Sequence, residues 1–286
     1  MKLDVLRDLK AKRFWTKFSS QTFGAVGFLA VGMGLYDVLD PDAISKISAP
    51  IGPIIVLVAL GFGVARSWPR PISETYPSPN TEIRLVVGDL FDRQENLVIG
   101  MCDTFDTEIP HIIQSRSVQG QFLSKVYSHD VRALDEDLNR ALSHIKPIET
   151  VAKVGKNDRF PLGTVATLSQ NRRQFYCVAY TEMDEQNRAH GSVDGFWRSL
   201  DALWTEVRSK SNGDPVAIPV IGGGQSRLSQ ILPAQDSIRF IALSFILASR
   251  YQRVCSRLDI ITHPDDVEKI DMLEIQAFLT SLGPIR

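Results

Sequence analysis

Two long stretches without a charged residue lie close together near the N-terminus and constrain the fold most strongly. They cover residues 18–36 and 47–65. A helix rises about 1.5 Å per residue and the hydrocarbon core of a bilayer is about 30 Å thick, so each stretch is just long enough to span it. Both are rich in glycine and lack the polar face that a surface helix of a soluble protein needs. The sequence therefore predicts a transmembrane helical hairpin over residues 18–66.

The charges that flank the two stretches predict their orientation. Residues 1–17 are rich in lysine and arginine and are expected to form a basic amphipathic segment at the membrane surface. Arg66 and Arg70 follow the second stretch, whereas the connecting loop contains three aspartates and one lysine. Because cationic flanks stay on the cytoplasmic side, we expect a multi-pass protein in the lipid bilayer with both termini cytoplasmic.

Small residues recur at a spacing of four within both stretches. The pairs are Ala30 with Gly34, Ala59 with Gly63, and Gly61 with Ala65. This spacing lets helix backbones approach closely, so the pairs could support packing within the hairpin and between protomers. They could equally reflect the general frequency of glycine in membrane helices, and the sequence leaves both explanations open.

The rest of the chain has the pattern of a single α/β domain. Residues 67–82 hold several prolines and are predicted to be a linker, and residues 83–286 are predicted to form the domain. Apolar runs predict strands near 83–87, 97–101, 165–168, 175–180, 216–221 and 258–262. Helical patterns occur near 119–127, 130–145, 193–209, 236–252 and 265–281. This alternation predicts a mostly parallel sheet covered by helices on both faces.

The composition argues against several classes of function. The formal net charge is -1, which gives no indication of nucleic-acid binding. The three cysteines are widely spaced, and no cysteine or histidine cluster has the spacing of a zinc site. We therefore expect no disulfide framework, no metal and no resident cofactor.

Open α/β sheets bind ligands at the carboxyl ends of their strands, and three loops in such positions carry unusual residues. In the first, Asp89 and Leu90 follow the strand near 83–87. The Asp89 carboxylate could accept a hydrogen bond from an exocyclic amine or a ribose hydroxyl, although Gly-Asp is also ordinary turn chemistry.

The second loop follows the strand near 97–101 and combines polar residues with phenylalanine. Its candidate ligand contacts are Asp103, Thr104, Phe105, Asp106 and Thr107, joined further along the chain by Gln119, Gly120 and Gln121. Taken alone, these residues are explained more simply by a surface loop than by a loop that wraps a ligand.

The third loop follows the strand near 216–221 and is the most specific local signal. It consists of Gly222, Gly223, Gly224, Gln225, Ser226 and Arg227. Consecutive glycines let the backbone approach a ligand and turn several N–H groups toward one anion. The spacing is neither that of a Walker A loop nor that of a dinucleotide fingerprint. We therefore predict phosphate binding, to which Arg227 either contributes hydrogen bonds or remains solvated.

Five motifs in this order resemble a macro domain, a mixed sheet between helices, and more specifically the ThsA effectors of type II Thoeris anti-phage defence. They are GDLFD at 88–92, DTFDT at 103–107, SVQGQF at 117–122, FPLGT at 160–164 and GGGQSRL at 222–228. The resemblance implies that Asp89 contacts adenine and that the glycine loop holds the diphosphate. It also implies that the second loop and Gln119 to Gln121 cover the distal ribose.

The same resemblance implies a sensor-effector in the bacterial inner membrane. A partner with a TIR domain would make an ADP-ribose-type signal, in this group a histidine conjugate, and the macro domain would bind it. Protomers would then assemble into a homo-oligomer whose membrane helices disrupt the membrane, which kills or arrests the infected cell.

Two other functions remain as alternatives. Hydrolytic macro domains carry an Asn-Ala-Asn stretch and a glycine run in the first loop, whereas the corresponding loop here reads MCDTFDTEIPHI. This departure favours a binding module over a membrane-tethered ADP-ribosyl hydrolase, so we expect no enzyme. A constitutive membrane scaffold without a ligand is the third possibility.

Overall fold

The structure is a computed structural model that describes residues 12–39, 51–67, 72–221, 228 and 231–283. The chain divides into two compact units, Met1–Arg70 and Pro71–Arg286. Most of the basic segment predicted at 1–17 and most of the acidic loop between the two apolar stretches lie outside the described residues.

The first unit contains two helices that pack against each other. Helix α1 covers Lys12–Leu39 and helix α2 covers Ile51–Ser67. Ala59 is fully buried, and a Cβ atom added at Gly63 would collide with Thr22 and lie 3.1 Å from the Phe18 ring. The Ala59–Gly63 pair therefore lies where the two helices pack, which is one of the two explanations that the sequence leaves open.

The outer surface of this helix pair is apolar. Phe23 and Phe28 are exposed by 76% and 81%. Helix α1 is long and apolar enough to cross a membrane over Phe18–Tyr36, whereas the apolar part of α2, Pro53–Val64, is shorter. By length and composition, the described residues thus contain one candidate span, and the second predicted span stays a prediction.

The second unit is built on an eight-stranded mixed sheet. Seven strands follow the order β1-β2-β10-β9-β3-β7-β6, and β8 pairs with β7 beyond this path. The strands of this path are β1 Ile72–Tyr76, β2 Thr81–Val87, β3 Asn96–Cys102, β6 Val165–Gln170, β7 Arg173–Met183, β9 Val216–Pro219 and β10 Arg257–Thr262. The inner five strands are parallel, and β1 and β6 are antiparallel edge strands. Strands β4 Glu149–Thr150 and β5 Asp158–Arg159 form a separate ribbon, and β8 is Ala189–His190.

Helices cover both faces of the sheet and enclose two hydrophobic cores. The helices are α3 Val118–Val126, α4 Val131–Leu142, α5 Val193–Lys210, α6 Ala234–Tyr251 and α7 Met272–Ser281. Val98 joins the core with α5, α6 and α7, whereas its neighbours Leu97 and Ile99 join the core with α3 and α4. Alternate residues of a strand point to opposite faces, which explains why strands buried on both faces are continuously apolar in sequence.

The prediction of a linker over residues 67–82 is wrong for Ile72–Tyr76, which form β1. This strand pairs with β2, and the Tyr76 side chain is 2% exposed. Its hydroxyl donates a hydrogen bond of 2.7 Å to the carbonyl oxygen of Leu279 beyond the sheet. Edge strands tolerate neighbouring prolines, so a proline-rich composition does not exclude a strand there.

The helix predicted near 265–281 is two elements. A 3₁₀ helix covers Pro264–Lys269, and α7 begins only at Met272. Asp271 separates them because its side chain accepts hydrogen bonds from the backbone N–H groups of Leu273 and Glu274, which caps α7.

Candidate functional site

The strands that precede the three predicted site loops end at one edge of the sheet. Asp89 follows β2, Asp103 follows β3, and residue 222 comes shortly after β9. Because β2, β9 and β3 belong to the parallel part of the sheet, their carboxyl ends lie along the same edge. This is the edge at which open α/β sheets bind ligands.

Asp89 stands at the start of the 3₁₀ helix Leu90–Asp92 and is only partly exposed. Its Oδ1 atom accepts a 2.8 Å hydrogen bond from the backbone N–H of Phe91, and its Oδ2 atom contacts the Lys125 ammonium. Burial by itself would raise the pKa of Asp89, but Lys125 and the Phe91 N–H outweigh it and lower this pKa below its usual value. Asp89 is therefore an ionised acceptor at neutral pH.

Lys125 and Phe91 are the parts of this end of the site that sequence reasoning missed. The Lys125 Nζ lies over the Phe91 ring, 5.2 Å from its centroid. Leu90, predicted as a ligand contact, is 5% exposed and belongs to the core under α3 and α4. Lys125 lies on α3, far along the chain from Asp89, so no local spacing points to their contact.

Asp103 is buried and fixes the start of the second loop. Its side chain is 1% exposed, its Oδ1 accepts a 2.9 Å hydrogen bond from the N–H of Met183, and its Oδ2 lies 3.0 Å from Arg159 Nε. Burial raises the pKa of Asp103 to about 6, against the opposing effects of the Met183 N–H and Arg159. These contacts tie the end of β3 to the end of β7.

Asp106 is the centre of a buried polar network. Its Oδ2 lies 2.8 Å from the Lys153 Nζ, and the two side chains are 1% and 0% exposed. Its Oδ1 accepts a 2.9 Å hydrogen bond from the N–H of Lys156, and Thr104 donates to Oδ2 through its hydroxyl. Gly155 makes this turn possible: its φ is +92°, and a Cβ atom there would lie 2.5 Å from Asp106 Oδ1.

The remaining residues of the second loop also point into the protein. Phe105 is 1% exposed and makes an edge-to-face contact with Phe160, with ring centroids 5.7 Å apart. The Thr107 hydroxyl donates a 2.7 Å hydrogen bond to Asp135. The loop is thus held by internal contacts from Cys102 onward, and the side chains predicted to meet a ligand are largely occupied by the protein itself.

The first turn of α3 packs against this loop. The side-chain amide of Gln119 donates to the carbonyl oxygen of Asp106, and the Gln121 amide donates a 3.1 Å hydrogen bond to the carbonyl oxygen of Arg116. A Cβ atom at Gly120 would lie 2.7 Å from the carbonyl oxygen of Ser115, so the close approach of these segments requires glycine. The structure therefore brings Gln119 and Asp106 together, and their predicted role in ligand binding stays a prediction.

The glycine loop, residues 222–227, lies outside the described residues, and its predicted role stays a prediction. The residues on either side are firmly placed in the core, with Ile221 5% exposed and Leu228 fully buried. The Ser237 hydroxyl donates a 2.7 Å hydrogen bond to the carbonyl oxygen of Ile221. Ile221 therefore lies in the core just after β9, and Leu228 belongs to the same core.

Two grooves in the described part of the second unit lie apart from the predicted site. One, of about 420 Å³, runs between α5 and α6 and is bordered by Trp197, Arg208 and Tyr251. The other, of about 560 Å³, is bordered by Tyr76, Arg250 and Leu282. Neither includes a predicted ligand contact.

A family described as Thoeris protein ThsA, Macro domain, matches residues 83–263 of the chain. The chain belongs to this family. The match confirms the predicted macro-domain fold and the resemblance to ThsA. It begins within β2, extends past the end of β10 and includes all three predicted loops.

Individual relatives share a low sequence identity with this member of the ThsA family. Thoeris protein ThsA of Bacillus amyloliquefaciens (strain Y2) is 24% identical over 205 residues, which cover 69% of this chain and 68% of that protein. A solved structure named Oceanobacillus iheyensis macrodomain with ADP is 12% identical and has a TM-score of 0.47, covering 75% of this chain and 96% of that one. Thermosipho africanus DarTG in complex with ADP-ribose is 17% identical with a TM-score of 0.36, covering 69% and 46%.

Proposed function

We propose that this chain is the membrane-anchored effector of a Thoeris anti-phage defence system. Its macro domain binds an ADP-ribose-derived signal, with the histidine conjugate of ADP-ribose as the first candidate, made by a partner with a TIR domain. Binding drives assembly of protomers in the bacterial inner membrane, and the clustered helices disrupt it. Both termini lie in the cytoplasm, where the signal arises.

This proposal is supported by the presence of two features in one chain. Residues 83–263 match the ThsA macro domain, and helix α1 carries an apolar span over Phe18–Tyr36. An ionised carboxylate, Asp89, stands at the ligand-binding edge of the sheet, where it can accept a hydrogen bond from an adenine amine. A nucleotide-binding domain tied to a membrane helix fits a ligand-gated effector better than a scaffold without a ligand.

The buried loop after β3 favours a binding module over a hydrolase. A general base must reach the proton that it removes, directly or through one water molecule. Asp103 and Asp106 are each about 1% exposed, and they face Arg159 and Lys153. Neither carboxylate is placed to activate water at a ligand, which agrees with the lack of the Asn-Ala-Asn stretch.

Ligand binding is tested with the full chain in lipid nanodiscs, titrated with ADP-ribose and its histidine conjugate in a calorimeter. A ligand at 100 times its Kd should stabilise the protein by about 2.7 kcal/mol, which raises the melting temperature by roughly 5 to 11 °C. Asp89→Ala should abolish binding. Asp194→Ala is the control, because Asp194 is also a surface aspartate in an ion pair, with Arg198.

The absence of binding at millimolar ligand would refute the proposed function. Turnover of an ADP-ribosylated substrate by the same preparation would instead favour the hydrolase. Oligomer size that stays unchanged on addition of a ligand that does bind would favour the constitutive scaffold.

The membrane step is tested through the glycines of the helix pair. Gly34 and Gly61 have open space where a Cβ atom would stand, whereas Gly63 faces α1. Gly34→Leu and Gly61→Leu should leave ligand binding intact and block dye leakage from liposomes if open faces pack between protomers. Gly63→Leu should disturb the hairpin itself. Unchanged leakage in the first two variants would exclude a role for these glycines in assembly.

A further inference from the structure

Lys125 occupies an unusual position at the Asp89 end of the candidate site. It extends from α3 and places its ammonium against Asp89 Oδ2 while lying over the Phe91 ring, 5.2 Å from the ring centroid. The Lys125 and Asp89 side chains are 41% and 37% exposed, so this contact is open to solvent and to ligands.

The two partners of Lys125 are the two groups that a nucleotide base would use at this place. A base with an exocyclic amine offers N–H donors to a carboxylate and a flat surface to an aromatic ring. The lysine ammonium offers N–H donors to the same carboxylate and a positive charge to the same ring. Lysine and base therefore compete for Asp89 Oδ2 and for the face of the partly buried Phe91 ring over which the ammonium lies.

The other Asp89 oxygen relieves this competition only in part, although a carboxylate oxygen can accept a second hydrogen bond. Oδ1 already accepts the hydrogen bond from the N–H of Phe91, which fixes the carboxylate at the start of its 3₁₀ helix. A base that stacks on the Phe91 ring from the side of Lys125 must therefore displace the ammonium before it reaches Asp89 Oδ2. The long, flexible stem of lysine lets the ammonium move aside into solvent without a change in the backbone.

We propose that Lys125 is a built-in competitor for the base subsite and thereby sets the ligand concentration at which the domain responds. The proposal rests on the proposed function, because it takes the ligand to be a nucleotide whose base reaches Asp89. Only a ligand with enough remaining contacts, such as a diphosphate, can displace the lysine. The same competition weakens the binding of free nucleobases and nucleosides, which lack such further contacts.

A purely structural role for the Lys125 ion pair makes a different prediction. Partly exposed ion pairs contribute little to stability, so removing Lys125 should barely change the melting temperature. If Lys125 instead oriented Asp89 for the ligand, its removal would weaken binding. Competition requires that its removal strengthens binding.

The experiment measures ADP-ribose affinity by calorimetry on the full chain in nanodiscs. Lys125→Met and Lys125→Gln should bind ADP-ribose about three- to tenfold more tightly than the unsubstituted chain, the range expected for releasing one exposed ion pair and one cation–π contact. Lys125→Arg keeps both contacts and should stay within about twofold of the original affinity. Lys210→Met is the matched control, since Lys210 makes a comparable surface ion pair with Glu206 on α5.

Each outcome decides between the ideas. Tighter binding by both neutral variants supports competition. Binding by these two variants when the unsubstituted chain does not bind also supports it. Equal or weaker binding by both neutral variants overturns the competition proposal and leaves the proposed function intact. An affinity gain in Lys125→Met but not in Lys125→Gln assigns the effect to methionine and also overturns the competition proposal. If no form of the chain binds millimolar ADP-ribose, the proposed function and this proposal both fail.

Discussion

The buried ion pair between Lys153 and Asp106 makes a sharp prediction about the candidate site. Both side chains are excluded from solvent, with Lys153 0% and Asp106 1% exposed and 2.8 Å between Nζ and Oδ2. Lys153→Met removes the cation and leaves a buried carboxylate. Breaking a buried pair in this way costs about 3 to 5 kcal/mol, because the remaining charge is desolvated without compensation.

The surroundings of Asp106 place the expected cost at the lower end of that range. The N–H of Lys156 still donates to Oδ1 at 2.9 Å, and the Thr104 hydroxyl still donates to Oδ2. We therefore expect a loss of about 3 kcal/mol in the free energy of unfolding, which lowers the melting temperature by roughly 6 to 12 °C for a domain of this size. Scanning calorimetry of the full chain in detergent measures this shift.

Two further variants separate the ion pair from general effects of substitution. Lys146→Met removes an exposed lysine and should change stability by less than about 0.5 kcal/mol. The double variant Lys153→Met with Asp106→Asn removes both charges, keeps an acceptor for the N–H of Lys156, and should recover more than half of the loss. A single variant within 2 °C of the original melting temperature, a threshold of about 1 kcal/mol, or a double variant no better than the single one, would refute the reasoning.

Three other positions give simpler predictions. Tyr76→Phe should lower the free energy of unfolding in urea by about 1 kcal/mol, because it removes the hydrogen bond to Leu279. Tyr76→Ala should lower it by about 3 to 5 kcal/mol. If neither variant changes the stability, β1 acts as a linker and not as part of the sheet. Gly120→Ala should lower the free energy of unfolding by about 1 to 3 kcal/mol in the same assay, because the new Cβ would collide with the carbonyl oxygen of Ser115. An unchanged stability would show that the start of the helix can move to make room for the Cβ atom. The pKa of Asp103 is raised to about 6, so its stabilising contribution is fully present below about pH 4 and is lost as the pH rises through 6. Asp103→Asn should therefore flatten the pH dependence of the melting temperature. An unchanged slope would contradict this prediction.

The positions of the buried strands and helices follow from the sequence for a clear physical reason. A strand covered on both faces, such as β3, must be apolar at nearly every residue, so its apolar run is visible without knowledge of its neighbours. Strand β1 lacks this signal because Ile72–Tyr76 reads ISETY and lies at the edge of the sheet. Only the tertiary position of Tyr76, buried against α7, makes that segment part of the domain.

The candidate site shows where sequence patterns stop being informative. The pattern places Asp89 correctly after a strand, because strand ends are marked by the change from apolar to turn residues. It cannot give the direction of a polar side chain: taken alone, residues 103–107 are explained more simply by a surface loop, and the resemblance implies that they cover a ligand, whereas in the structure they are buried and bonded internally. The partner of Asp106, Lys153, lies 47 residues further along the chain, and no local spacing reveals such a contact.

Because Ile72–Tyr76 form strand β1 and not a linker, a signal could leave the domain through the sheet. Ile72 pairs with Leu85 close to the end of β2, so the chain enters the domain at the edge of the sheet that carries Asp89. Because β1 and β2 share a continuous register from Ile72 to Tyr76, a shift of the loop after β2 acts on a strand that begins soon after helix α2 ends at Ser67. A long flexible spacer would dissipate such a shift, whereas a paired strand transmits it. Within the second unit, the pairing of β1 with β2 thus links the ligand edge of the sheet to the point at which the chain enters the domain.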